Sequence, residues 1–239
     1  MSESCGGDAP HRPAVLPPGS LNHVEIDDIT PVAQDYVKAI WNATEWGEPP
    51  ITTKALAARF ETSAPNVSET LRRLDRQGLV TYAPYKPVTL TEEGRRLALG
   101  MVRRHRLLET FLVDSLGYTW DQVHDDAERL EHSVTERFID RIDELLGHPE
   151  ADPHGDPIPR ADLSVPHPGD AIRLDDAAPG SYEVVRINDD DPALLQRLTS
   201  LDLTPGATVV IAPNGAALTE AGERLDEPAL RATHARQRD

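Results

Sequence analysis

Two rhythms of apolar positions divide the chain. Up to about residue 146 apolar residues recur every three or four positions, the period of a helix with one buried face; beyond about residue 170 they fall in short runs between turn residues, as strands do. The first helix is predicted to open at Thr30-Pro31, an N-cap followed by proline, and to reach about Thr44, with Val32, Tyr36, Ile40 and Trp41 apolar. Glu48-Pro49-Pro50 ends it. Thr52 and Thr53 cap a short helix through Phe60, with Leu56, Ala57 and Phe60 inward. After the Glu61-Thr62 turn, Ser63 caps a second helix, Ala64 to Gln77, with Val67, Leu71 and Leu74 inward and Gly78 closing it. Leu79 to Tyr82 and Val88 to Leu90 read as strands around a turn. Two short helices, a tight turn and a basic-tipped hairpin make a winged helix-turn-helix; the alternative is an ordinary helical hairpin.

Thr91 with Glu93-Gly94 starts a long helix to about Leu116, and Gly117 breaks it. Thr119 is predicted to cap a third long helix, unbroken to about Leu146. Its apolar stripe, Val123, Ala127, Leu130, Val134, Phe138, Ile142 and Leu145, is close to a coiled-coil seam. Such a stripe suits a twofold dimer interface or burial within one monomer; a helix-turn-helix that reads its site as a dimer favours the first. His148 to Pro168 is rich in Pro, Asp and Gly and reads as a linker. The short strands after it, interrupted by one helix from Pro192 to Leu201, suggest a small β-barrel. The expected fold is mainly α with small β. Its parts are a disordered arm (1–23), a winged-helix DNA-binding domain (24–96), a helical metal-binding and dimerisation domain (97–150), a Pro-rich linker (151–167) and a β-domain (168–235).

Charge sharpens the picture. The net charge is −17, which alone argues against nucleic acid. Yet residues 52–108 carry eleven Lys/Arg and five Asp/Glu, leaving −23 for the rest. A basic module on an acidic body is an electrostatic footprint for double-stranded DNA. At the start of the second short helix, Ser63, Asn66 and Glu69, with Pro65 and Ser68 beside them, are placed to meet base edges. Asn can read adenine and Glu can accept from cytosine. Arg72, Arg73, Arg76 and Lys86 are placed for phosphates. The single cysteine, Cys5, excludes a disulfide framework and a thiolate cluster, and suits a reducing cytoplasm. No apolar run approaches the roughly 18 residues of a membrane span, and the N-terminus lacks a signal-peptide layout.

The candidate chemistry lies between His105 and His132. His105 and Glu109 are four apart and share a helix face. His124, Glu128, Glu131 and His132 recur at helical spacing. Either set alone could be a solvated acidic face. Together, downstream of a DNA-binding pattern, they favour nitrogen and oxygen ligation of a first-row divalent metal. A metal-dependent hydrolase is the rival from another class, but no nucleophile or phosphate-cradling glycine loop lies nearby. A winged helix sensing a small ligand in the β-domain is a second rival.

Five segments, in order and spacing, resemble the iron- and manganese-dependent repressors of the diphtheria toxin repressor type. They are Ala33-Gln-Asp-Tyr, Ser63-Ala-Pro-Asn-Val-Ser, Arg104-His-Arg-Leu-Leu-Glu, Val123-His-Asp-Asp-Ala-Glu-Arg-Leu-Glu-His and Pro153-His-Gly-Asp-Pro-Ile-Pro. The resemblance implies a C-terminal SH3-like domain and a homodimer that represses palindromic operators. It implies a primary metal site from Asp35, Glu128, Glu131 and His132, with the Glu128 backbone carbonyl as a further donor. An ancillary site follows from His105, Glu109 and His124, completed from the SH3-like domain by Asp191; the alternative is that Asp191 only caps the helix opened by Pro192 and solvent completes the site. Iron-responsive members carry methionine and cysteine where this chain has Asp35 and Glu128, so it is similar to the manganese branch. The expected activator is Mn(II), with Fe(II) second and Zn(II) or Co(II) as substitutes in vitro. Lys38 stands where shorter manganese regulators carry a glutamate, which argues against a tightly bridged metal pair.

Overall fold

The computed structural model describes residues 24–84, 86–166 and 169–238. The arm read at 1–23 lies outside them. The head begins with α1 (Pro31–Glu45), α2 (Thr53–Arg59) and α3 (Ala64–Arg76), capped by Thr30, Thr52 and Ser63 as their sequences predict. β1 (Val80–Thr81) and β2 (Thr89–Leu90) form the antiparallel wing, with Val80 opposite Leu90. Leu56, Val67, Leu71, Leu74 and Leu79 share one core with Val37 and Ile40 of α1 and with Leu97 and Met101 further on.

The long helix α4 (Glu92–Leu116) is the axis of the molecule, and α1 packs along it. Its start is fixed by close approach. A Cβ added to Gly94 would lie 1.8 Å from the Leu79 carbonyl oxygen. Backbone cannot yield as a side chain does, so Gly94→Ala is expected to destabilise the head by about 1–3 kcal/mol. A urea melt of the purified protein reads this directly; an unchanged midpoint would refute it.

The third long helix is not continuous. It is two helices, α5 (His124–Leu130) and α6 (Glu136–Leu146), joined by a turn that holds Glu131 to Thr135. Thr135 ends the break as an N-cap, its side chain accepting from Phe138 N. The apolar period survives because both halves pack on α4. The stripe does divide: Val123, Ala127 and Ile142 are buried inside the monomer, while Leu130, Phe138 and Leu145 are exposed.

The stretch read as a linker is partly core. Asp152, His154, Asp156 and Ile158 are all buried. The Asp152 carboxylate accepts from the His154 and Asp156 amides, and Arg106 donates to the Pro157 carbonyl at 2.7 Å. Beyond it, β3 (Ile172–Arg173), β4 (Gly180–Ile187), β5 (Thr208–Ile211), β6 (Ala217–Thr219) and β7 (Thr233–Gln237) form one antiparallel sheet in the order β3-β7-β4-β5-β6. Two short helices, α7 (Pro192–Ser200) and α8 (Glu227–Ala232), close its core.

The small domain is tied to the rest at two tryptophans. Trp46, at the end of α1, donates to Asp156 at 2.8 Å, lies 4.8 Å from the His234 ring and carries the Arg186 guanidinium over its face. Trp120 donates to Thr199 at 2.7 Å and stacks on His154.

Candidate metal centres and nucleic-acid interface

Folding places three of the four predicted primary residues together. Asp35 comes from α1, and Glu131 and His132 from the turn after α5; their donor atoms lie within 4.8 Å of one another. Gln34 orients the histidine. Its amide nitrogen donates to the Ile26 and Ile29 carbonyls, so its oxygen faces His132 Nδ1 at 2.7 Å. Nδ1 is thereby placed as the donor to Gln34, and Nε2 faces Asp35 Oδ1, 3.0 Å away. That oxygen is buried and makes no hydrogen bond. Burial raises the Asp35 pKa despite the pull of His132 and Lys38. An orphaned, poorly solvated carboxylate oxygen beside an oriented imidazole is what a hard divalent cation would satisfy.

The fourth residue, Glu128, meets Glu131 from the other side, in a group with His105 whose donors also lie within 4.8 Å of one another. Its carboxylate lies 2.6 Å from Lys38 Nζ and 3.6 Å from His105 Nδ1. Lys38, only 3% exposed, also bonds the fully buried Glu131. Burial pushes its pKa down, but Glu131 and Glu128 reverse that and hold it as an ammonium.

The ancillary residues converge on α4. His105 Nε2 lies 3.0 Å from Glu109, and His124 Nδ1 lies 3.2 Å from the same carboxylate oxygen. His105 faces both centres, since its Nδ1 is 2.6 Å from Glu131. Asp191 is not part of this group. Its carboxylate accepts from the Ala193 and Leu194 amides and caps α7. Asp189, two residues earlier, reaches His124 Nδ1 at 3.1 Å instead, because the cap fixes Asp191 outward. The four-residue cluster is His105, Glu109, His124 and Asp189.

A second arm of this centre escaped sequence reasoning. Glu109, Asp152 and His154 also bring donors within 4.8 Å. His154 Nε2 donates to the Trp120 carbonyl, while its Nδ1 and Glu109 Oε2 are buried without hydrogen bonds. The signal was present in the Asp152-Pro-His154-Gly run, which composition assigned to a linker. Burial works against the His105 proton, but Glu109 and Glu131 hold its pKa at about 9. Hydrogen bonds to Asp189 and Glu109 hold His124 at about 11. Burial opposes the charge on His154 too, yet Glu109 holds it at about 10. Burial likewise pushes Glu109 up, and the His105 charge with its neighbours pulls it well below the carboxylate range.

On the head, Ser63, Pro65, Asn66, Glu69, Arg72, Arg73, Arg76 and Lys86 are exposed, and Ser68 is half-buried. Ser63 caps α3 by accepting from Asn66 N. Three other cations of the basic module are unavailable to DNA. Arg103 pairs with Asp140 and Asp143, Arg104 with Asp27 and Glu136, and Arg106 with Glu45, Asp152 and Asp156; all three are buried. The exposed cations of the module include Arg72, Arg73 and Arg76 of α3 and Lys86 of the wing, with Lys54 and Arg59 of α2 and Arg95 of α4 also exposed.

Comparison with known proteins agrees with this arrangement. Residues 28–88 match the iron-dependent repressor N-terminal DNA-binding domain, 91–160 the iron-dependent repressor metal-binding and dimerisation domain, and 172–225 the FeoA domain. The iron-dependent repressor IdeR of Mycobacterium tuberculosis is 33% identical over 198 residues, covering 78% of this chain and 86% of that protein. The diphtheria toxin repressor of Corynebacterium diphtheriae is 34% identical over 194 residues, covering 77% and 85%. A solved manganese-dependent transcriptional repressor in complex with manganese is 45% identical, with a TM-score of 0.80 over 86% of this chain and 99% of that one. With a winged head, adjoining clusters of carboxylates and imidazoles and a FeoA-type SH3-like domain in one molecule, the chain belongs to the diphtheria toxin repressor family of metal-dependent transcriptional repressors.

Proposed function

We propose that this chain is a manganese(II)-activated repressor that binds palindromic operator DNA as a homodimer and controls metal-ion homeostasis genes. The observation that carries the reading is the primary cluster. Asp35, Glu131 and His132 offer two hard carboxylates and one imidazole, and no sulfur. Oxygen-rich donor sets suit manganese, whereas thiolate or thioether would favour softer ions. The 45%-identical manganese repressor supports the same choice. Fe(II) is the second activator to test, because the ancillary cluster adds two further imidazoles.

A bound divalent cation would supply positive charge to Asp35 and Glu131, which Lys38 and the imidazoles neutralise only in part. Asp35 sits on α1 of the head, and Glu131 and His132 sit in the turn between α5 and α6. Shared ligation by these residues ties the DNA-reading head to the helical core. His105, Glu109, His124 and Asp189 would tie the SH3-like domain to the same core. Exposed Leu130, Phe138 and Leu145 offer the apolar face for a second copy.

The test is binding to a duplex enriched from a random library, titrated with manganese, iron and zinc at buffered metal concentrations. Manganese should trigger binding. Arg72→Ala should weaken all sequences alike and lower the salt slope by about one. Asn66→Ala should relax base preference by about 1–3 kcal/mol. Equally tight binding in excess chelator would end the metal-gating reading; a lower threshold for iron than for manganese would reassign the metal.

A further inference from the structure

We propose that Lys38 is a tethered cation that competes with metal for Glu131, and so sets the metal concentration at which the primary centre fills. The proposal rests on the reading of Asp35, Glu131 and His132 as metal ligands. Lys38 follows Asp35 by three residues on α1 and shares its face. Its ammonium bonds Glu131 Oε1. That oxygen is also the one nearest the primary cluster, 3.8 Å from His132 Nε2. The other Glu131 oxygen is taken by His105. Glu131 is completely buried, so neither oxygen can turn to solvent and no third one exists. A cation entering between Asp35 and His132 must share Glu131 Oε1 with Lys38 or displace it.

An ammonium has donors and no lone pair, so Lys38 cannot itself become a ligand. It adds one positive charge within bonding distance of a ligand oxygen, where like charges repel. Because it is held by the chain, its local concentration does not fall on dilution, and it competes at every metal level. Displacement has a place to go. Glu128 Oε2 is 2.6 Å from the same ammonium, and its side chain is 37% exposed and able to follow. The same contact serves the metal-free protein: Lys38 neutralises Glu131 and Glu128, which would otherwise be buried or half-buried anions side by side. The metal-free centre is thereby stabilised against the loaded one.

The experiment compares wild type, Lys38→Gln and Lys38→Arg for manganese uptake by competition with a fluorescent chelator, and for melting temperature with and without manganese. Lys38→Gln should bind primary-site manganese more tightly by about tenfold or more, the size usual for changes beside a metal ligand. It should melt lower than wild type without metal, and the gap should close when loaded. Lys38→Arg keeps the charge and should keep the wild-type threshold. A Lys38→Gln protein that folds only with manganese also supports the proposal, because the ion then does what the ammonium did. Equal or weaker manganese binding by Lys38→Gln, an equal melting deficit with and without metal, or no folding at any manganese level would overturn it. The underlying site reading fails separately, if wild type takes up no manganese that Glu131→Gln abolishes.

Discussion

Glu131→Gln is expected to uncouple operator binding from metal. The residue is fully buried and its two oxygens hold Lys38 and His105. Burial works against the His105 charge, but Glu109 and Glu131 hold its pKa at about 9, so it is charged at neutral pH in the metal-free protein. Replacing the carboxylate with an amide leaves two buried cations facing a neutral group. Removing one partner of a buried ion pair costs about 3–5 kcal/mol, so the metal-free variant should unfold at much lower urea than wild type. At the same time the proposed primary centre would lose one of its two hard donors. DNA binding at saturating manganese should fall to the level wild type shows in chelator. Fluorescence anisotropy on a duplex target measures this, and a manganese response within twofold of wild type would show that Glu131 is not a ligand.

Metal uptake at the ancillary centre is expected to steepen with pH. His105 and His124 keep protons up to about 9 and about 11 in the metal-free protein, the first despite burial, the second through hydrogen bonds to Asp189 and Glu109. A metal-ligating imidazole must be neutral, so loading releases both protons while the pH lies below those values. Each released proton makes affinity rise about tenfold per pH unit, giving roughly 100-fold between pH 6.5 and 7.5. The linkage has the opposite sign for the empty protein. Raised histidine pKa values stabilise its fold fully below about 6.5, and that contribution disappears as pH climbs through about 9 to 11. Calorimetry in buffers of different ionisation heat counts the protons directly. Fewer than one proton released per ancillary metal at pH 7 would contradict this.

Local capping chemistry made much of the fold readable. Thr30-Pro31, Thr52, Ser63 and Thr91 each announce a helix, and each side chain accepts from an amide three residues on. The break between α5 and α6 was harder, because no glycine or proline marks it. Thr135 was the available signal, but apolar positions kept their spacing across the turn, since α4 lies under both sides. His105, Glu109, His124, Asp35, Glu131 and His132 were legible by type and order as candidates, and the fold gathers them into clusters. Asp189 was not distinguishable within Asp189-Asp190-Asp191, because capping a helix and pairing with His124 ask for the same side chain; only the position of the SH3-like domain separates them. Arg103, Arg104 and Arg106 misled for a related reason. Sequence counts charges but does not show which acids from distant elements will cover them.

The three tryptophans occupy three different places, one inside the head and two at joints with the SH3-like domain. Trp41 lies under the Arg95 guanidinium within the head, Trp46 between the head and the SH3-like domain, and Trp120 between the helical core and that same domain. Each indole therefore samples a separate set of neighbours, and those neighbours include charged groups and imidazoles that alter its light emission. The molecule carries its own optical gauge. Versions retaining one tryptophan at a time would report, place by place and without any attached dye, whether each part loosens when metal is withdrawn.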